Sequence, residues 1–175
     1  MNAAPFDPHI TITSGIPLLS SAEHQRILDS ITLNERPKIQ FKRIRYGTAF
    51  WTKITIEIHK SSSLKNLAVA CRSSVLSDIT EDEAKEWVEK YTTPAESGQQ
   101  GFIPHLSLVY YGEDVEGPVR LGVGSDVNDS GVLMCDGEKE EVREMEGWVG
   151  GKLIIVDTTK RVEEWKDSIL AERIL

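Results

Sequence analysis

Cysteine is scarce in this 175-residue chain: Cys71 and Cys135 are the only two, and no Cys-x-x-Cys pair occurs. That excludes a disulfide framework and a cysteine-based zinc site, and makes a reducing compartment the expectation. The cytoplasm is the default, with peripheral association to endomembranes left open. No apolar run approaches the ~18 residues of a membrane span, so no transmembrane segment is expected. The N-terminus lacks the basic and apolar regions of a secretory leader. Neither a Gly-x-Gly-x-x-Gly turn nor a P-loop is present. Basic charge is also short, with 20 Lys and Arg against 28 Asp and Glu and a formal net charge of −8. Holding long nucleic acid by counterion release needs a basic face, so no such partner is expected. A small phosphate ester in a locally polar pocket remains compatible with that balance.

What is present describes a globular chain. Apolar residues make up 39% and charged residues 27%, enough for one domain or two small lobes sharing a core. In "PLLSSAEHQRILDSI" the pair Ser20 and Glu23 has capping-box spacing, and Ile27, Leu28 and Ile31 follow at helical period. "KIQFKRIRYG" and "FWTKITIEIHK" read as neighbouring strands, a hairpin turning near Gly47. Ile54, Ile56 and Ile58 take one face, Thr55 and Glu57 the other. "SSSLKNLAVACRSSV" returns to helical period, and Thr80 caps an acidic helix, "EDEAKEWVEKY". "TTPAESGQQG" reads as a loop leading to a strand from about Ile103 to Tyr110. The Gly- and Asp-rich stretch beyond it gives weak signals. "GKLIIVDT" predicts a buried strand, and "VEEWKDSILAERIL" fits either a helix or a turn feeding an edge strand. Without a regular βαβ rhythm, the fold class is α+β with antiparallel sheets.

The informative feature is a repeat. Phe6-Asp7-Pro8-His9-Ile10-Thr11-Ile12 matches Phe102-Ile103-Pro104-His105-Leu106-Ser107-Leu108, with Phe, Pro and His identical and Thr replaced by Ser. At average residue usage such a match arises on the order of once in a million positions. In an extended segment His9 and Thr11 point to one face while Ile10 and Ile12 point to the other, and the second copy behaves alike. Each copy thus offers an imidazole beside a hydroxyl. The proline, lacking an N–H, suits a strand start. If the two copies face one cleft, the constellation suits a phosphodiester. One imidazole serves as neutral base and its partner as protonated acid, and the hydroxyls donate to phosphate oxygens as charge develops. The chemistry calls for no metal and no cofactor, and two histidines without carboxylate or thiolate company make a poor metal site.

Other candidates carry less. His24 is expected to be solvated on a helix face. His59 has a His-x-Ser spacing but lacks the Phe-x-Pro lead and ends an isoleucine strand. The acidic stretches "EDEAKE" and "DGEKEEVREME" read as solvated helix faces without the spacing of a paired-carboxylate hydrolase.

With these motifs, the chain resembles the two-histidine phosphoesterase superfamily, and within it the fungal and plant cyclic phosphodiesterases. "FDPHITITSGI", "FIPHLSLVYYG", "AFWTKITIEI" and "EGWVGGKLIIVDTTKRVEEWK" carry the likeness, which spans nearly the whole chain. The resemblance implies a single domain over 1–175 of two intertwined lobes, one motif each. Its two antiparallel sheets would be related by a pseudo-twofold, with helices on the outer faces. It implies hydrolysis of 2',3'-cyclic nucleotides to 2'-phosphates and opening of ADP-ribose 1'',2''-cyclic phosphate, a by-product of tRNA splicing. Carried over by motif position, His9 and His105 are catalytic, Thr11 and Ser107 hold the phosphate, and Tyr110 contacts phosphate or sugar. His105 would activate water and His9 protonate the departing oxygen. The expected partner is a small cyclic phosphate nucleotide, and a monomer is expected. Family members usually carry a strand and a helix before the first motif, which here starts at Phe6; their loss would leave an unpaired sheet edge and an uncovered apolar face. RNA-end processing and nucleotide binding without turnover stay open as alternatives.

Overall fold

The computed structural model describes residues 8–47, 53–90, 102–110, 115–129 and 147–175. Among the described residues, two antiparallel sheets and four helices make an α+β fold. The larger sheet contains β1 (His9–Ile10), β2 (Lys38–Tyr46), β3 (Ile54–Ile58), β4 (His105–Val109) and β5 (Gly147–Val149), in the order β1-β4-β3-β2-β5. The smaller pairs β6 (Lys152–Val156) with β7 (Ile169–Ile174). The helices are α1 (Ser21–Ser30), α2 (Ser62–Val75), α3 (Glu81–Glu89) and α4 (Gly117–Asp129).

Local chemistry accounts for most of these boundaries. Ser20 and Glu23 form a reciprocal capping box on α1, and Thr80 and Glu83 form another on α3, each satisfying backbone donors that a helix start leaves open. On α3 the acidic stretch is solvated as expected, with Lys85 reaching Glu81 and Asp82. The β2–β3 hairpin is antiparallel as predicted; its turn lies outside the described residues, as do the "TTPAESGQQG" loop and "DGEKEEVREME". Ile56, Ile58 and Leu106 of the sheet pack with Leu64, Leu67, Ala68 and Cys71 of α2, all buried. Burial pushes the Cys71 thiol up to about 12, so it is an inert core group and no nucleophile.

Two segments differ from their sequence readings. The Gly-rich stretch is helical in α4 despite three glycines. Tertiary contacts hold it: the Tyr46 hydroxyl donates to the Arg120 carbonyl, the Arg120 guanidinium lies 5.9 Å from the Tyr46 ring centre, and Val127 packs on the core. Strand β6 is buried on one face only, through Leu153 and Ile155. The C-terminal segment resolves as a 3-10 turn (Val162–Asp167) feeding β7. Arg173 of β7 donates to the Leu28 and Ile31 carbonyls, both at 2.6 Å, closing the C-terminal end of α1.

Candidate active site

The two motifs meet as hydrogen-bonded neighbours. β1 lies antiparallel to β4, with His9 opposite Ser107 and Ile10 opposite Leu106. A residue and its ladder partner share a sheet face, and so do residues two apart on one strand. His9, Ser107 and His105 therefore project from one side, while Leu106 and Ile10 turn to the core. Thr11 follows directly after β1, one residue past the last paired position. A local twofold through the Ile10–Leu106 pair then maps His9 onto His105 and Thr11 onto Ser107. His9 and His105 are diagonal neighbours across this pair of strands, roughly 7–8 Å between backbone positions. That separation leaves room for a phosphate between the rings.

The two histidines have different neighbours. His105 Nδ1 lies 2.9 Å from the Ile103 carbonyl oxygen, which can only accept. Nδ1 therefore carries the hydrogen, and in the neutral ring Nε2 carries the lone pair. His9 Nε2 lies 2.8 Å from the Tyr110 hydroxyl, and the two rings stack with centroids 5.8 Å apart. Trp165 meets both edge-on, at 6.2 Å from His9 and 5.9 Å from Tyr110, and donates its indole N–H to the Lys160 carbonyl. Burial raises the Tyr110 phenol above its ordinary range, opposed by a hydrogen bond with Ser107. The group stays a neutral phenol near pH 7, joining the first imidazole to the second motif's hydroxyl.

Further along β3, Thr55 faces Ser107 and Glu57 faces His105. Both are buried despite being polar. Burial pushes the Glu57 carboxyl up, but hydrogen bonds and attraction from Lys42 and Arg43 outweigh it and hold the group below its ordinary value. The ion pairs measure 2.8 and 2.7 Å. A register shift in β2 between Phe41 and Arg43 puts Lys42 in a bulge, so consecutive cations converge on one carboxylate. A cavity of about 720 Å³ opens beside the site, mostly apolar. His9 and Thr11 line it, His105 and Ser107 do not; it continues to α1, α2 and β6.

The structure corrects one expectation in this region. His24 is not solvated: it is 1% exposed, with Nε2 3.0 Å from the Pro17 carbonyl. The segment preceding α1 folds back over it, which the helical pattern alone did not show. His59 is exposed after β3. Trp165, Glu57, Lys42 and Arg43 were not anticipated. The alternation of "KITIEI" placed Glu57 on the strand face opposite the isoleucines, but only the β2 bulge supplies its partners. Among the described residues no helix is long and apolar enough to cross a membrane.

Comparison with known proteins points the same way as the motifs. A family model described as cyclic phosphodiesterase-like protein matches residues 1–175. A protein of Phaeosphaeria nodorum named 2',3'-cyclic-nucleotide 3'-phosphodiesterase is 33% identical over 174 residues, 97% of this chain and 81% of the relative. One of the same name from Neurospora crassa is 29% identical over 178 residues, covering 97% and 78%. A third, from Yarrowia lipolytica, is 24% identical over 188 residues, covering 92% and 81%.

Proposed function

This chain belongs to the cyclic phosphodiesterase-like family, and on that premise we propose that it hydrolyses 2',3'-cyclic nucleotides to nucleoside 2'-phosphates by a two-histidine acid–base mechanism. The observation that supports this most directly is the β1–β4 register, which sets His9 opposite Ser107 and gathers both imidazoles on one face.

The cyclic phosphate sits between the rings, its non-bridging oxygens accepting from the Thr11 and Ser107 hydroxyls. Nε2 of neutral His105 takes a proton from a water whose oxygen attacks phosphorus; Nδ1–H stays on the Ile103 carbonyl and keeps the ring in that tautomer. The bond from phosphorus to the ribose 3' oxygen breaks, and its electron pair takes a proton from protonated His9. The Tyr110 hydroxyl, 2.8 Å from His9 Nε2, holds that ring in place. The His105 proton then returns to solvent and His9 is reprotonated, restoring the starting state. No metal or cofactor enters these steps.

By the same chemistry the reading extends to ADP-ribose 1'',2''-cyclic phosphate as a small-molecule substrate. The enzyme is read as one domain over 1–175, acting as a monomer in the cytoplasm. The test is phosphorus NMR of the purified chain with 2',3'-cyclic AMP in EDTA. Appearance of the 2'-phosphate supports the reaction and its regiochemistry; the 3'-phosphate, or hydrolysis only after a divalent ion is added, overturns the mechanism.

A further inference from the structure

The pairing that joins the motifs continues across the sheet. His9 pairs with Ser107, Ser107 with Thr55 and Thr55 with Arg45, so all four belong to one row on one face. The adjacent row runs from His105 to Glu57 to Arg43. The rows differ in charge. In the second, the Glu57 carboxylate engages both Arg43 and Lys42. In the first, Arg45 faces Thr55, which offers no carboxylate. Arg45 is exposed and has no hydrogen-bond or ion-pair partner among the described residues.

Two strand spacings, roughly 10 Å, separate the Arg45 and Ser107 backbones, and the long arginine side chain shortens the gap to whatever occupies the cleft. A ribose whose cyclic phosphate lies between His9 and His105 projects its C5 carbon away from the rings, on the opposite side of the sugar. We propose that Arg45 is a specificity residue binding a phosphate on the 5' oxygen of the ribose whose cyclic phosphate is opened. This rests on the cyclic phosphodiesterase reading and adds a second anion site to it. The guanidinium donates two parallel N–H bonds to phosphate oxygens, a geometry an ammonium does not reproduce.

The experiment compares kcat/KM for 2',3'-cyclic AMP with that for 5'-phosphoadenosine 2',3'-cyclic phosphate, in wild type, Arg45→Ala and Arg45→Lys. Each protein is its own control, because the ratio of the two substrates cancels any loss of folded enzyme. The ratio is expected to fall roughly 10-fold or more in Arg45→Ala, the scale of a charge-assisted hydrogen bond, with Arg45→Lys in between. An unchanged ratio in both variants, with wild type active on cyclic AMP, overturns the assignment. Wild type inactive on both substrates overturns the catalytic reading itself. A third substrate, a dinucleotide ending in the same cyclic phosphate, separates the sources of that anion. If Arg45→Ala impairs it more than the phosphomonoester, the occupant is an RNA end and the small-molecule assignment falls.

Discussion

Replacing Tyr110 by Phe removes one oxygen and leaves the ring against Val162 and Trp165. The lost hydroxyl bonds His9 Nε2 at 2.8 Å and also bonds Ser107. If its work is to orient those two groups, the variant loses contacts worth about 1 kcal/mol each. That is roughly a 5- to 30-fold fall in kcat. KM should move little, because neither contact is to bound substrate. If instead the hydroxyl donates to the phosphate as charge builds, the loss should reach roughly 10²–10³. Steady-state hydrolysis of 2',3'-cyclic AMP, with a thermal melt to confirm folding, separates the two. A folded variant with kcat within twofold of wild type would refute both roles and leave Tyr110 as packing.

His9→Ala and His105→Ala are each expected to lower turnover by at least ~10², measured with the same substrate, and near-wild-type rates in either would end the two-histidine mechanism. Turnover should be indifferent to EDTA; inhibition reversed by a divalent ion would point to metal-assisted hydrolysis. The Glu57 carboxyl, held low by Lys42 and Arg43 against the opposing effect of burial, contributes stability above its unfolded value near ~4.3. That contribution disappears as pH falls through the lower folded value. Urea midpoints of Glu57→Gln between about pH 3 and 6 should therefore depend less on pH than those of wild type, and parallel curves would contradict the ion-pair account. A Cβ at Gly147 would fall on the Ile39 backbone carbonyl, so Gly147→Ala should separate β5 from β2. Expected signatures are a loss of about 1–3 kcal/mol in denaturant unfolding and altered fluorescence from Trp148, which packs edge-on to Phe41 at 5.6 Å; unaltered stability would refute the clash.

Features set by a few consecutive residues were legible in the sequence. The Ser20–Glu23 capping box and the Thr80 cap announced two helix starts because such signals are complete within a few residues. The alternation of Ile54, Ile56 and Ile58 with Thr55 and Glu57 announced a sheet with one apolar and one polar face. The motif residues His9, His105 and Ser107 do share that polar face, and Tyr110 reaches His9. What stayed hidden depends on partners far along the chain. Helix α4 has glycines that argue against it and is held by Tyr46, about 75 residues earlier. His24 looks like a surface residue until the Pro17 carbonyl is seen against it. The end of α1 is closed by Arg173, 145 residues from Leu28. The β2 bulge that turns Lys42 and Arg43 onto one carboxylate leaves no mark in composition or period.

Strand β1 is two residues long and lies at the sheet's edge, yet it carries one of the two histidines. Edge segments with so short a ladder open at a free energy well below that of the whole domain. Detachment there would carry His9 away from His105 and Ser107 while α2 and the three central strands stay packed. On warming, catalysis should fade at a lower temperature than circular dichroism does. The amides of His9 and Ile10 should exchange with deuterium long before that of Ile56.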